Sequence, residues 1–579
     1  MHDLVIRNGV VVDGTGAPRF GADVAVDGDR ITAVGEVESG GRREIDADGL
    51  VVSPGWVDIH THYDGQATWD HDLAPSSTHG VTTVVMGNCG VGFAPARPDR
   101  HEWLIRLLEG VEDIPGTALT EGMQWGWESF PEYLDVLDRM DWTLDVGTQI
   151  PHAALRTYVM GDDGADNSVA ADHTQIEQMS QLCEEAIRAG ALGFTTSRTW
   201  VHRSADGAQI GTLKAGADEV LGLAAALQRA GTGVIQLISD AYQTTDDELV
   251  ASELALLESI ALHVGRPMSF TVQQSDESPG RWRELLEAIA RWNAAGADVR
   301  AQTAVRPIGV VAGLTSTVNP LRCSPTYKAL AGLPLAERVA RMAEPGVRGT
   351  ILAEHQAFVP SAFSATTHSG YDRMFPMGQF PDYEPSPENS LAGIAAREGR
   401  AANEVMYDWF TAEGGTRLVY LPFMNYSNGT LDDVAEMIAS PLTLSGLSDA
   451  GAHCNTLSDG TMPTTAISHW TRDRGDGRTF DLEHMVHRQT EATASWVGFT
   501  DRGVVAPGYL ADLNVFDHDE INAQAPELVQ DLPAGGTRLL QRSVGYAATI
   551  KRGLVTAEQG ELTGSRPGSL QRGPQSLDR

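Results

Sequence analysis

The sequence predicts an α/β chain: a (β/α)8 barrel with a small β domain assembled from both termini. Three observations predict it. The middle of the chain alternates apolar strand-like runs with amphipathic helices, which is the grammar of a parallel sheet. Both ends are rich in short β runs punctuated by Asn-Gly and Asp-Gly. With 579 residues, 42% of them hydrophobic, the chain is too long for one ordinary domain and can bury a large core.

In order, residues 1–56 carry LVIRNGVVVDG, DVAVDGDRITAVG and GLVVSPGWVDI, read as strands and hairpins. Residues 57–495 are assigned to the barrel. TTVVMGNCG is a strand before a helix around Glu102 to Glu109, and TQIEQMSQLCEEAIRAGALGFTTS is a helix, a glycine stop and a strand. DEVLGLAAALQRAGTGVIQLIS and DDELVASELALLESIALHVGRPMSFTVQQ repeat that pattern, while DVRAQTAVRPIG and PLTLSGLSDAGAH supply further strands. The segment from about 310 to 430, rich in Pro, Gly, Ser and aromatics, reads as an insertion of lids and loops. Residues 496–560 return to β runs in GYLADLNVFD and YAATIKRGLVT, and 561–579 read as a flexible tail.

Composition narrows the partners. There are 78 acidic and 42 basic residues, a net charge of −36, so binding to nucleic acid or to an anionic membrane surface is not expected. Four scattered cysteines make no disulfide framework. The first residues lack a basic and then apolar leader, and no run approaches the ~20 apolar residues of a membrane span. A cytoplasmic protein acting on a small molecule is expected, with a homo-oligomer compatible with the long insertion.

Chemistry concentrates in three places. In VDIHTHYDG, His60 and His62 leave the same face of an extended strand, where two imidazoles can share one metal. Cys89 ends a buried strand between glycines 87, 90 and 92, so a tight turn can present its sulfur at the barrel mouth; an inert core thiol is the simpler alternative. In LSGLSDAGAHC, Asp449 stands at the end of a late strand with His453 four residues on. A carboxylate there can bind metal and move a proton between water and a leaving group. His453 can stabilise an oxyanion or orient Asp449. His152 and Tyr63 are candidates to line a substrate pocket, each with a packing or turn role as its alternative. Asp64, following Tyr63, is read the same way. MQWGWESF (residues 123–130) is either the wall of an apolar pocket or core, and nothing beside Cys454 supplies the base of a cysteine hydrolase.

In combination, DLVIRNGVVVDGTG, SPGWVDIHTHYD, the GNCG turn, RAGALGFTTS, SDAGAH and GVVAPGYLADLNVFD resemble the amidohydrolase superfamily and, within it, the N-acyl-D-amino-acid deacylase (D-aminoacylase) family, almost end to end. The resemblance implies a TIM-like barrel with a β-sandwich from both termini. It implies metal ligands at His60, His62 and Cys89, the last in place of the carboxylated lysine of other relatives, and a catalytic aspartate at Asp449. The lysines agree: Lys214, Lys328 and Lys551 are the only three, and none lies at a convincing strand end.

Two departures qualify it. The family places a histidine at the end of two middle strands; here Ile238 or Gln236, and Val272 or Gln273, fall there, and glutamine is a weak ligand. One divalent ion per chain, zinc first, is therefore expected rather than two. The family's substrate-gripping lysine falls near Ser275 and its tyrosine near Arg306, whose guanidinium can receive a carboxylate or make a structural salt bridge. Gln273 joins Arg306 as a substrate-binding candidate. The expected activity is hydrolysis of a C–N amide bond, other than an internal peptide bond, in an N-acyl amino acid or related amide. Water activated by the metal is the nucleophile, and Asp449 is the general base and acid. Lactone or ester hydrolysis, decarboxylation or C–C cleavage at the same metal is the first alternative; a non-catalytic ligand-binding barrel is the second.

Overall fold

The computed structural model describes residues 1–361, 365–457 and 459–573. Both ends of the chain share one nine-stranded sheet, because Leu513–Phe516 pairs antiparallel with Val51–Pro54. Alternating residues of this sheet bury a core of its own, including Leu4, Ile6, Val24, Val52, Leu513, Val515 and Ile550. The Asp27-Gly28-Asp29-Arg30 segment is a two-residue hairpin turn, with Gly28 at φ +60°. Asn8-Gly9, read from sequence as turn punctuation, is instead a bulge inside the continuous strand His2–Val11. Asn8 adopts φ +61°, and a Cβ on Gly9 would lie 2.5 Å from a Val52 methyl, so glycine there serves close packing.

Eight parallel strand positions follow: Trp56–Asp58, Val81–Met86, Asp145–Thr148 (continued by Ile150–Pro151), Gly193–Arg198, Val234–Ser239, Met268–Thr271, Val299–Thr303 and Thr443–Ser445. Beyond the eighth strand, Ala450 bridges Thr61 in parallel and closes the ring. Helices such as His101–Glu112, His173–Ala189, Ala217–Ala230, Asp247–His263 and Arg281–Ala294 pack outside. Active sites in this architecture gather at the C-terminal ends of the strands. No helix among the described residues is long and apolar enough to cross a membrane.

The insertion is more ordered than lids and loops. Ile308–Gly313, Leu418–Met424 and Phe375–Pro376 form an antiparallel sheet, and its helices bury a separate core with Leu321, Tyr327, Ile351, Met374, Phe410 and Val419. Enough aliphatic and aromatic residues lie among its prolines and glycines to pay the cost of ordering it. The expected flexible tail is also corrected up to residue 573. Leu570 bridges Val146 and is buried, and Gln571 accepts from Arg502 at 2.8 Å. Residues 574–579 of that tail lie outside the described residues.

One buried carboxylate joins barrel, β domain and tail. Asp145 on the third barrel strand receives Lys551 Nζ at 2.6 Å, Arg502 Nη1 at 2.7 Å and the backbone N–H of Ser569 at 2.9 Å. Burial alone would raise its pKa, but the charges of Lys551, Arg502 and Arg552 hold it well below the usual carboxylate range. A depressed carboxylate contributes stability above its unfolded pKa of ~3.9, and that contribution is lost as pH falls below it. Stability should therefore fall on acidification below about pH 4. Lys551→Met should cost about 3–5 kcal/mol, because one partner of a buried pair is removed. The pair Asp145→Asn with Lys551→Met should cost less than the sum of the single changes. Denaturant midpoints of the four proteins check this, and strict additivity would contradict the coupling.

Candidate metal centre

The first barrel strand is followed at once by Ile59-His60-Thr61-His62, still extended beside the eighth, and alternation sends both imidazoles inward. His60 and His62 are buried. Cys89 arrives on the turn after the second strand. The residue itself takes φ +54° between Gly87 and Gly90, also left-handed, and Thr195 on the fourth strand donates to the Gly87 carbonyl and accepts from the Gly90 N–H. A Cβ on Gly90 would stand 2.7 Å from Thr196 backbone, so the turn is pressed against that strand. The ligating atoms of His60, His62 and Cys89 all lie within 4.8 Å of one another, with Cys89 Sγ 3.4 Å from His60 Nε2.

Asp449 completes the group from the eighth strand. Its Oδ1 lies 3.3 Å from His60 Nε2 and 3.5 Å from His62 Nε2. The residue adopts φ +47°, and its N–H donates to the His60 carbonyl at 3.2 Å, so the seam of the barrel fixes the carboxylate against the histidines. His453, also left-handed at φ +52°, places Nε2 3.9 Å from Glu112 rather than against Asp449.

Three contributors escaped the sequence reading. Glu112, the last residue of helix His101–Glu112, is buried with Oε1 3.4 Å from His62 Nδ1. An acid at a helix C-terminus opposes the macrodipole, and that misplacement was the available signal. Gln302, on the seventh strand, takes its Oε1 to 2.6 Å from His60 Nδ1 and donates to Ser269 Oγ at 3.0 Å. The His60 Nδ1–H thus donates outward, which leaves Nε2 as the lone-pair nitrogen facing Cys89 and Asp449. His202, after the fourth strand, bonds Ser197 Oγ at 2.8 Å, and burial holds it down at about 3, helped by the charges of His62 and His453.

Other expectations are corrected. His152 is fully buried with both ring nitrogens engaged, by Thr196 Oγ1 at 2.8 Å and Glu219 at 2.9 Å, so it braces the wall and lines no open site. The Tyr63 hydroxyl is spent on the Leu73 carbonyl and Ser76 Oγ in the interior. Met123, Trp127 and Phe130 belong to the core. Neither the fifth nor the sixth strand brings a histidine. Gln236 accepts from the Cys89 N–H at 3.3 Å, Gln273 accepts from Asn425, and the side-chain nitrogens of both remain without a partner. Arg306 is buried over the Tyr383 ring, with Nη2 3.2 Å from both Asp459 Oδ1 and Thr461 Oγ1. It makes the structural ion pair, and Asp459, pushed up to about 7 by burial against the pull of Arg306, is the softer partner.

The donor set fits a divalent cation. Burial pushes His60 down to about 4 and Cys89 up to about 12, so both are neutral without an ion. Burial also works on His62 and Asp449 but loses: Glu112 and Asp449 draw His62 well above its usual value, and His62 and His60 hold Asp449 well below the carboxylate range. His62 Nδ1, Glu112 Oε1 and Asp449 Oδ1 still lack hydrogen-bond partners. Buried acids that demand a positive charge, beside imidazole and thiol, match zinc-type coordination.

Comparison with solved structures and curated sequences follows the same lines. D-aminoacylase, in a structure titled for its binuclear metal centre with one-metal activation and second-metal attenuation, matches with a TM-score of 0.64 and 26% identity over 99% of this chain and all of that one. N-acyl-D-glutamate deacylase from Bordetella bronchiseptica, complexed with zinc and a phosphonate mimic of the tetrahedral intermediate, matches with a TM-score of 0.63 and 25% identity over the same shares. N-acyl-D-aspartate deacylase of Alcaligenes xylosoxydans xylosoxydans is 28% identical over 98% of this chain and 94% of the relative. Residues 43–557 match a family described as the Amidohydrolase family, and since that span covers most of the chain, including the whole barrel, the chain belongs to it.

Proposed function

We propose that the protein is a metal-dependent hydrolase of the amide bond in an N-acyl amino acid or related small amide, holding one divalent ion per chain. The observation that carries this is Asp449 Oδ1 standing 3.3 and 3.5 Å from the Nε2 atoms of His60 and His62, with Cys89 Sγ in the same cluster. When bound by His60, His62, Cys89 and Asp449, the ion supplies Lewis-acid polarisation of the carbonyl and a water whose pKa is lowered toward about 7. The chain's own groups do the rest. Asp449, held below the usual carboxylate range chiefly by His62, takes the proton of the attacking water and returns it to the leaving nitrogen. Gln302 fixes the His60 tautomer, and His453 beside Glu112 is placed to donate to the oxyanion. Names of the relatives, deacylases of N-acylated D-amino acids, support a carboxylate-bearing substrate. One ion is preferred because neither the fifth nor the sixth strand brings a histidine: Ile238 or Gln236, and Val272 or Gln273, fall where the resemblance puts two imidazoles.

Asp449→Asn should lower kcat on an N-acyl amino acid by about 10²–10⁴-fold, the usual worth of a positioned general acid–base. Near-normal turnover with metal retained would remove the assigned role. Elemental analysis of protein purified without chelator should find one zinc-type ion attributable to this centre, absent from His60→Ala. Two such ions lost together in that variant would overturn the single-ion reading. A panel of amides, lactones and β-keto acids, with turnover confined to the last two classes, would redirect the reaction.

A further inference from the structure

The insertion carries a second group of metal-binding side chains, remote in sequence from the barrel ligands. Cys323 ends the short turn Pro320–Cys323, His355 lies on helix Pro345–Ala357 and His368 on the helical turn Ala365–Ser369. Their ligand atoms all lie within 4.8 Å of one another. Both histidines are buried, His355 to 1% exposure, while Cys323 is half-buried and reachable from solvent. His355 Nε2 has no hydrogen-bond partner, an expensive state for a buried imidazole nitrogen. The backbone of His368 acts on the His355 ring, and those of His355 and Pro320 act on the His368 ring.

We propose that Cys323, His355 and His368 form a second metal site that takes a zinc-class divalent ion, with water in the fourth position. On binding, the Cys323 S–H proton leaves to solvent and the thiolate joins two neutral imidazoles, a Cys/His2 set suited to tetrahedral zinc. The two rings are stacked, with centroids 4.1 Å apart and planes at 22°. Two stacked rings cannot both aim in-plane lone pairs at one ion, so capture turns one of them. His368, on a five-residue turn, is held by the shorter element. The ion would add a further tie among three segments of the insertion already joined by packing around Leu321, Tyr327 and Ile351 and by Glu354, which accepts from Ser324 and Thr326.

The test is zinc protection of Cys323 against iodoacetamide in the full-length protein, read by peptide mass spectrometry with Cys89, Cys183 and Cys454 as internal references. Zinc should slow alkylation of Cys323 by at least about tenfold. That protection should persist in His60→Ala/His62→Ala, which disables the barrel centre, and disappear in His368→Ala. Because replacing a buried histidine can unfold the insertion, Cys323→Ser provides a second reading. Loaded with cobalt in the His60→Ala/His62→Ala background, the protein should show a thiolate-to-metal absorption band that Cys323→Ser abolishes. Zinc-independent alkylation of Cys323, or a cobalt band unchanged in Cys323→Ser, overturns the site. Failure here leaves the barrel centre untouched, since that centre is read through His60.

Discussion

The seam between the eighth and first barrel strands is the constraint on which the site depends. Its bonds run His62 N–H to Ala450 carbonyl at 2.8 Å, Asp449 N–H to His60 carbonyl at 3.2 Å, and Ser448 hydroxyl to the Asp58 carboxylate. Leu447, Asp449 and His453 take left-handed backbone there, and a Cβ on Gly451 would lie 2.9 Å from the His62 backbone. Non-glycine residues hold such conformations only where the surroundings over-determine them. The same bonds that close the ring therefore aim the carboxylate at the two imidazoles. A loosened seam would lose the site before it lost the barrel.

Around that seam the balance of charge explains why a cation fits. Asp58, pushed up to about 6 by burial, and Asp64, pushed up to about 7, sit near Asp449 and Glu112 on the inner wall. Burying several acids without cations is costly, and unpaired members take up protons instead. The chain spends its inner arginines elsewhere: Arg502 on Asp145, Arg156 on Glu219, Arg306 on Asp459. What remains at the mouth is a pocket of negative charge whose offset comes from His62 or from a bound ion.

Much of this was legible because it is local. Spacing alone put His60 and His62 on one face, glycines around Cys89 announced a turn, and the Asp449 segment read as the end of a strand. Glu112, Gln302 and His202 were not legible because each reaches the site through tertiary packing, from a helix end, a neighbouring strand and a long loop. His152 and Tyr63 show the converse error: proximity in sequence to a strand end or to the HxH pair does not say which way a side chain turns, and both turn into the wall. The tail and the insertion were underestimated for a third reason. Composition rich in Pro, Gly and Ser suggested lids and loops and a flexible tail, while scattered residues such as Leu570, Tyr327 and Phe410 supplied enough apolar surface to fix them.

The pairing of Leu513–Phe516 with Val51–Pro54 also sets an order of events during synthesis. The N-terminal strands leave the ribosome first, yet the strand that covers their open edge is translated only after the whole barrel. At ~5–20 residues per second that wait is on the order of a minute. Through it, Val51 and Val52 present an unpaired apolar edge of the kind that recruits other chains. Holding nascent chains apart should therefore matter more to the yield of folded protein than the stability of the finished sheet.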